Sequence, residues 1–357
     1  MKERNQALNV AISLGDIHGI GPEIILSAFQ EAQLFKWFTP LVFDPAGALP
    51  QLKTTFPELF QDSVCEIGPG DPITPKKINI LGLPQHPQPL NPGSRNPEGA
   101  KFAVESLRLA VAAMQQNQCD FLLTCPLDKT YIAESGMPFP GHTEFLGAQF
   151  NGQAQMIMVA GQLRVGLLTG HMALEQVVNS IQVDSIVESL RALNETLKVD
   201  FQVIRPKIAV LSLNPHAGDN GKFGRQEAEI IRPALDSCVD NHDLLVFGPF
   251  ASDGFFGSGA FRKYDGVLSM YHDQGLTAFK ALAGFEGVNY TGGLSIVRTS
   301  PDHGPAFDLA GKGLADPTSF REALFVGRDA FFNRALFREL NQNPLPIAPK
   351  AQGTFER

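Results

Sequence analysis

Short apolar runs recur along the chain, and each is closed by glycine or polar residues, a pattern typical of buried strands. Other segments repeat apolar residues every three or four positions, which is the spacing of an amphipathic helix. The clearest is 96–116, where Val104, Leu107 and Val111 fall on one stripe. Together the two patterns predict an α/β protein. The predicted strands are 9–14, 41–44, 119–123, 156–160, 164–169, 207–213, 244–247 and 267–271, and the other predicted helices are 24–35, 184–197, 226–239 and 276–282.

Two segments interrupt these patterns. Residues 56–97 combine proline and glycine with little periodicity, which predicts short irregular pieces and loops. Residues 15–23 read G-D-I-H-G-I-G-P-E, a glycine-rich turn between the first strand and the first helix. Such a turn can receive an anion or a nucleotide. Its spacing is not G-x-G-x-x-G, so the Rossmann fingerprint is absent.

Length and charge narrow the class of protein. The 357 residues suit two domains or one large α/β unit. A formal net charge of -8 disfavours a general nucleic-acid binder, because phosphate backbones need a basic face. No apolar run approaches the roughly 20 residues that a membrane span needs, and no membrane partner is expected. The scattered cysteines lack a C-x-x-C pair and predict reduced thiols in a cytoplasmic protein.

Three histidines each follow a separate predicted strand by one to three residues: His171, His216 and His272. The carboxyl ends of parallel strands face the ligand crevice of an open α/β sheet, so these side chains are expected to converge at one edge. Three imidazoles suit a borderline transition metal, with Zn²⁺ favoured and Co²⁺ or Mn²⁺ as alternatives, whereas Mg²⁺ prefers oxygen ligands. Three protein ligands leave a position open for substrate, which predicts a catalytic site.

Groups that bind anions lie near the same strand ends. Lys129 follows the strand 119–123. A helix is expected to start near residue 142, and the free N–H groups of a helix N-terminus attract anions. Two further cations and an amide donor follow the strand 267–271. The predicted substrate-binding residues are His142, Thr143, Lys280, Asn289 and Arg298.

The ordered motifs of the chain resemble those of the 4-hydroxythreonine-4-phosphate dehydrogenase family of vitamin B6 biosynthesis. They are G-D-x-x-G-I-G-P-E, T-x-P-x-x-K, G-H-T-E-F, T-x-H, L-N-P-H-A-G, M-Y-H-D-Q-G, V-N-x-T-x-G-L and R-T-S-x-D-H-G-x-A. The resemblance covers about residues 10–320. Residues 302–317 also resemble the nucleotide-binding loop of isocitrate and isopropylmalate dehydrogenases; we refer to this segment as the nucleotide loop.

The resemblance implies a two-domain isocitrate/isopropylmalate dehydrogenase-like α/β fold. Mostly parallel sheets would be flanked by helices, and the active site would lie in the interdomain cleft. We expect a first, nucleotide-side domain of residues 1–132 and 300–357, and a second domain of residues 133–299. The implied assembly is a homodimer with a shared active site, in which His272 comes from the partner subunit. The implied NAD-binding residues are Gly15, Asp302, His303, Gly304, Ala306 and Asp308.

The resembled reaction oxidises the C3 hydroxyl of 4-phosphooxy-L-threonine with NAD⁺. The product then loses CO₂ to give 3-amino-2-oxopropyl phosphate, a step toward pyridoxal phosphate. A bound divalent metal, Zn²⁺, Co²⁺, Mn²⁺ or Mg²⁺, would lower the pKa of the hydroxyl. The candidate proton acceptors are Asp253, Asp273 and Lys129, with Asp253 favoured.

The chain departs from the family pattern at two places. Ile17 and His18 stand where the family usually has Pro-Ala, and the residues around Asp253 read S-D-G instead of A-D-T. Other functions stay open. Relatives act on threonate or erythronate phosphate or on a dihydrodiol carboxylate, while three histidines would also suit a zinc hydrolase or a non-catalytic metal or phosphate binder.

Overall fold

The computed structural model describes residues 2–60, 63–68, 70–139 and 141–343. Its centre is one sheet that, within these residues, has twelve strands in the order β3-β4-β2-β1-β5-β12-β11-β6-β7-β10-β8-β9. The strands are β1 Leu8–Ser13, β2 Phe38–Phe43, β3 Val64–Glu66, β4 Ile78–Leu81, β5 Phe121–Thr124, β6 Gln155–Ala160, β7 Leu163–Leu167, β8 Lys207–Leu211, β9 Leu245–Phe250, β10 Gly266–Ser269, β11 Val288–Gly292 and β12 Arg298–Pro301.

The sheet is mostly parallel but reverses direction near its middle. Strands β3, β4, β2, β1, β5 and β12 run parallel to one another, and so do β7, β10, β8 and β9. The pairs β12–β11, β11–β6 and β6–β7 are antiparallel. The two parallel groups therefore point in opposite directions. The expected α/β fold with a mostly parallel sheet is confirmed, and the expected domain boundaries stay a prediction.

Helices cover both faces of the sheet. In the described residues, none of them is long and apolar enough to cross a membrane. The long helix at the end of this part of the chain packs on β5, β11 and β12. The helices are α1 Gly21–Ala28, α2 Ala48–Gln51, α3 Pro97–Gln115, α4 His142–Gln149, α5 Leu174–Ser180, α6 Val183–Val199, α7 Arg232–His242, α8 Ser252–Gly257, α9 His272–Ala283 and α10 Thr318–Leu340.

The core explains why these residues form strands and helices. All six residues of β2 and all four of β10 and β12 are buried, as expected for strands covered on both faces. Helix α10 approaches the sheet closely at Gly327, where a Cβ atom would lie 2.4 Å from the Phe121 ring. Helix α3 begins at a side-chain cap, because Asn96 Oδ1 accepts a hydrogen bond from Gly99 N at 2.9 Å.

Three expectations from the sequence were wrong in detail. The helix expected at 24–35 ends at Ala28, and a 3₁₀ turn, Ala32–Lys36, follows it. Apolar spacing could not show this break, because Phe29 and Phe35 still pack together at 5.2 Å. Helix α9 begins at His272 rather than 276, since polar residues suit a first turn with free N–H groups. The irregular segment 56–97 also supplies β3 and β4.

A buried polar cluster joins α6, β11 and α10. Asp200, directly after α6, accepts hydrogen bonds from Arg334 Nε at 2.5 Å and from the Tyr290 hydroxyl at 2.7 Å. The side chains of Arg334 and Asp200 are 10% and 2% exposed. Removing one member of such a buried ion pair leaves the other charge without compensation in the interior.

We expect Arg334→Met to lower the free energy of unfolding by about 3–5 kcal/mol, because Asp200 would stay buried without its guanidinium. Chemical denaturation at pH 7 measures the change. Arg225 provides the matched control, since it pairs with Glu229 at 2.8 Å on the surface. Arg225→Met should cost at most about 0.5 kcal/mol. Equal losses in the two variants would contradict a structural role for the buried cluster.

Candidate active site

A buried arginine lies at the centre of the sheet. Arg298, the first residue of β12, is 2% exposed. Its guanidinium donates to Thr124 Oγ1 from Nε and Nη2, at 3.2 and 2.5 Å, and to Thr291 Oγ1 from Nη1 at 2.9 Å. Burial lowers the pKa of Arg298 to about 9. Among the described residues no carboxylate forms a salt bridge with it, and such a buried cation is suited to an anionic ligand.

Neighbouring polar groups share the sheet face of Arg298. Asn289 lies two residues before Thr291 in β11, so both side chains point to the same side of the sheet. The Asn289 Oδ1 atom is buried and has no hydrogen-bond partner within the described residues. This face of β11 and β12 therefore offers hydroxyl, amide and guanidinium groups to a ligand.

Helix α4 begins beside this face. His142 is its first residue, and Thr143 lies in the first turn. Burial lowers the pKa of His142 well below its usual value, and the charges of Arg298 and Lys129 lower it further. A neutral imidazole can both donate and accept a hydrogen bond. The predicted residues His142 and Arg298 are thus brought together by the fold.

Lys129, in the loop after β5, reaches one of the predicted metal ligands. Its Nζ atom lies 3.1 Å from both Nδ1 and Nε2 of His171. Partial burial of the ammonium group lowers the pKa of Lys129, and the Glu144 carboxylate opposes the change. A cavity of about 610 Å³ opens between Lys129, Glu144 and His171. The sequence assigned no role to Glu144, although it stands in the motif G-H-T-E-F beside Thr143.

Two of the three predicted metal ligands are neighbours in one chain. The rings of His171 and His272 have centroids 4.9 Å apart. Their strands β7 and β10 are adjacent, and β8 with His216 follows. His216 packs against Phe223 at 6.0 Å instead. In the part of the chain described, no group of three or more His, Cys, Asp or Glu side chains is arranged to hold a metal.

The backbone conformation around His216 and the protonation of His171 both bear on metal binding. Pro215–Gly221 contains six consecutive residues with positive φ, from His216 to Gly221, so this turn is left-handed. Partial burial, together with the charges of Lys129 and His272, lowers the pKa of His171. Neutral imidazole is the form that binds a metal. The donor chemistry of His171 and His272 therefore fits a divalent metal, although one chain does not complete the predicted set.

The two aspartates proposed as proton acceptors lie outside this cluster or at its rim. Asp253 is an exposed residue of α8, after the edge strand β9. Asp273 Oδ1 lies 2.8 Å from His272 Nδ1, and its side chain is 83% exposed. Lys280 pairs with Asp302 at 2.9 Å, which links α9 to the start of the nucleotide loop.

The predicted nucleotide-binding residues lie at one edge of the sheet. Strands β1, β5 and β12 are adjacent and parallel, so their carboxyl ends meet there. Gly15 follows β1 with φ +69°, and a Cβ atom would lie 2.2 Å from Pro126 O after β5. Glu23 Oε2 accepts a hydrogen bond from Gly311 N at 3.0 Å and so holds the nucleotide loop. The other predicted residues of that loop are Asp302, His303, Gly304, Ala306 and Asp308.

Sequence reasoning gave no role to two buried residues of the first glycine turn. Asp16 and His18 are 1% and 2% exposed. Burial raises the pKa of Asp16 to about 6, and the nearby Asp128 carboxylate adds to the rise. The Asp16 Oδ2 atom has no partner in the described residues. The G-D-I-H motif placed both residues in a turn, but it could not show that they are buried.

Together, the mostly parallel sheet and this cluster define an α/β protein with a candidate site for a small anion beside paired histidines. A family model described as "Pyridoxal phosphate biosynthetic protein PdxA" matches residues 37–326. The chain belongs to this family.

Individual relatives agree with this assignment. A 4-hydroxythreonine-4-phosphate dehydrogenase of Bacteroides thetaiotaomicron is 38% identical over 341 residues, which cover 95% of this chain and 93% of the relative. A crystal structure of the enzyme of that name from Klebsiella pneumoniae has a TM-score of 0.77 at 30% identity, covering 91% and 100% of the two chains. A terephthalate 1,2-cis-dihydrodiol dehydrogenase from Burkholderia xenovorans LB400 has a TM-score of 0.57 at 25% identity, covering 88% and 95%.

The buried Asp16 carboxyl predicts a pH-dependent stability. A carboxyl whose pKa is raised by folding binds more protons in the native state, so stability is lost as pH rises through about 6. Asp16→Asn removes the titration and keeps an oxygen for the His18 N–H. The unfolding free energy of the variant minus that of wild type should therefore increase by on the order of 1–3 kcal/mol as the pH rises from about 4 to about 7.5. A difference independent of pH would contradict this account.

Proposed function

We propose that the chain oxidises the C3 hydroxyl of 4-phosphooxy-L-threonine with NAD⁺. The resulting β-keto acid then loses CO₂ and gives 3-amino-2-oxopropyl phosphate, in the synthesis of pyridoxal phosphate. The observation that carries the proposal is Arg298, a buried guanidinium that no described carboxylate neutralises, in a member of this family. A small phosphorylated acid supplies the charge that this position requires.

The proposed substrate-binding residues have distinct tasks. Arg298 would donate charge-assisted hydrogen bonds to an anionic group, with Thr124 and Thr291 holding its orientation. Asn289 and His142 supply neutral polar contacts on the same side. Thr143 offers its hydroxyl at the start of α4, and Lys280 would contribute after exchanging its Asp302 partner for substrate.

The proposed metal ligands are His171, His216 and His272, with Zn²⁺ favoured and Co²⁺, Mn²⁺ or Mg²⁺ as alternatives. A bound divalent metal would act as a Lewis acid on the substrate oxygen. The proposed arrangement takes His272 from a second copy of the chain. Within one chain His171 and His272 are adjacent and His216 lies apart, which supports a ligand set completed by a second copy of the chain. The choice of His272 as the partner's ligand rests on the family resemblance alone.

A homodimer with a shared active site is part of the proposal. Large apolar side chains are exposed just after His171, at Met172 and, in helix α5, at Leu174 and Val178, which are 41%, 68% and 45% exposed. Apolar residues of this size at the mouth of a polar site favour burial against another subunit. The proposed location is the cytoplasm, which agrees with four cysteines that carry free thiols.

NAD is the proposed acceptor of the hydride, and it would bind at the edge formed by the ends of β1, β5 and β12. The glycine turn at Gly15 allows close backbone approach there. The nucleotide loop supplies Asp302, His303 and the backbone around Gly304. Ala306 and Asp308 are the remaining proposed contacts.

Lys129 is the proton acceptor that we favour over Asp253 and Asp273. Its Nζ atom is within 3.1 Å of His171, inside the cluster, and its pKa is lowered by partial burial. A neutral lysine amine can act as a general base, and a lowered pKa increases the neutral fraction of Lys129. Asp253 lies in α8 after the edge strand, and Asp273 is largely solvated beside His272.

A spectrophotometric assay tests the proposed reaction. Purified protein with a divalent metal and NAD⁺ should form NADH with 4-phosphooxy-L-threonine, and a chelator should abolish the signal. The same assay with threonate 4-phosphate, erythronate 4-phosphate and a terephthalate dihydrodiol compares the related substrates. If one of these compounds has a higher kcat/KM than 4-phosphooxy-L-threonine, that compound is the better candidate substrate. Turnover without NAD⁺ would contradict the proposed dehydrogenase activity.

We expect Arg298→Met to raise the KM for the phosphorylated substrate by about 10- to 100-fold, because a charge-assisted hydrogen bond is lost. The dissociation constant for NAD should change less than about twofold by calorimetry. Stability should be retained, since a buried charge is replaced by an apolar side chain of similar length. Arg232→Met, in the exposed first turn of α7, is the control. Equal weakening of substrate and NAD binding would refute the assigned role of Arg298.

A further inference from the structure

His18 connects two loops at the edge where the nucleotide is proposed to bind. Its backbone N–H donates to Asp16 Oδ1 at 2.9 Å. Its carbonyl oxygen accepts from Gly93 N at 2.8 Å. Its ring Nδ1 accepts from Asn91 N at 3.2 Å. The residue is 2% exposed, so these bonds form away from bulk water. His18 therefore fixes residues 91–95, which we call the bridging loop, to the first glycine turn.

The bridging loop in turn packs on the nucleotide loop. A Cβ atom on Gly93 would lie 2.9 Å from Phe307 O, and Gly93 has φ +86°. The Arg95 guanidinium carbon lies 5.2 Å from the centroid of the Phe307 ring. A Cβ atom on Gly311 would lie 2.7 Å from Pro92 Cβ. These close approaches leave little room for the two loops to shift independently.

The glycine turn also contacts the nucleotide loop directly. Ile20 N donates to Pro305 O at 2.9 Å. A Cβ atom on Gly19 would lie 2.8 Å from Pro305 O. His18 precedes both residues, so its hydrogen bonds fix the backbone from which they project. Displacement of His18 would therefore shift the nucleotide loop in two ways, through the bridging loop and through Gly19 and Ile20.

The sequence suggests why a histidine is needed here. Residues 17 and 18 are isoleucine and histidine, so no proline stiffens this part of the turn. A proline fixes its own φ and stiffens a turn without any side-chain contact, and alanine has no acceptor. Ile17 allows more backbone freedom. The bond from Asn91 N to the His18 ring supplies a restraint of another kind.

We propose that His18 is a positioning residue that holds the bridging loop against the nucleotide loop and thereby sets the affinity for the dinucleotide. The proposal rests on the proposed function for the identity of the ligand. His18 acts through Gly93, Phe307 and Pro305 and touches neither the anion site nor the histidine pair. It should therefore influence the nucleotide without changing substrate binding.

The role of one ring atom allows a sharp test. Because Nδ1 accepts the Asn91 N–H, the proton of the neutral ring is on Nε2. Burial lowers the pKa of His18, which favours this neutral form. An asparagine oxygen can occupy the position of Nδ1, whereas a glutamine oxygen reaches the position of Nε2. His18→Asn should restore the bond, and His18→Gln should not.

Three measurements test the proposal. Calorimetry gives the dissociation constant for NAD, steady-state kinetics gives the KM for the substrate, and hydrogen exchange of the free protein reports on the Asn91 amide. We expect His18→Ala and His18→Gln to raise the NAD dissociation constant by about tenfold, with His18→Asn within about threefold of wild type. The KM for the phosphorylated substrate should stay within about twofold. The Asn91 amide should exchange faster in His18→Ala and His18→Gln and near the wild-type rate in His18→Asn.

Asn79 provides the matched control for general destabilisation. It is a fully buried amide in β4 that accepts from Thr74 N at 2.8 Å and donates to Thr74 O at 3.0 Å. Asn79→Ala should lower the unfolding temperature and leave NAD affinity unchanged. A loss of NAD affinity in this control equal to that of His18→Ala would overturn the positioning role.

Other results would also count against His18. Unchanged NAD affinity in His18→Ala, or rescue by glutamine and not by asparagine, would refute the proposal. Wild-type protein that fails to bind NAD would refute the proposed function and the affinity effect together. In that case the exchange rate of the Asn91 amide would still decide whether His18 restrains the bridging loop.

Discussion

The buried guanidinium of Arg298 is the constraint on which the rest of the site depends. Withdrawal of a cation from water costs several kcal/mol unless other groups compensate it. Here the compensation comes from the hydroxyls of Thr124 and Thr291, one on each neighbouring strand. The arrangement therefore requires the strand order β5-β12-β11 and the correct register of all three strands. Packing of α10 against these strands supports the same region from the other side.

The reversal of strand direction determines what can meet at this point. In a sheet whose strands are all parallel, the carboxyl ends of all strands would lie at the same edge. Here β5 and β7 run in opposite directions, separated by the antiparallel strands between them. Lys129 from the loop after β5 nevertheless contacts His171 from the loop after β7. The proposed anion site therefore lies over the middle strands, between loops that follow strands of opposite direction.

Local patterns in the sequence predicted much of the fold. Apolar runs indicated most strands, and the polar residues that end these runs placed His171, His216 and His272 at strand ends. Contacts between distant segments were not predictable in this way. Nothing in T-C-P-L-D-K shows that Lys129 reaches His171, and nothing in G-D-I-H shows that Asp16 is buried or that His18 accepts from Asn91. Such facts depend on tertiary packing, on which periodicity carries no information. The start of α9 was missed because polar residues open both loops and helices.

The unbroken sheet also limits how the molecule can move. Backbone hydrogen bonds continue from β5 through β12, β11 and β6 to β7, so no flexible linker separates the two parallel groups in the described chain. A rigid-body hinge, as in proteins whose lobes are joined by single strands of coil, would break this ladder. Closure around a ligand would instead require a change of twist spread over the antiparallel strands. Small rotations there would alter the width of the cavity between Lys129 and His171 while preserving every strand pair.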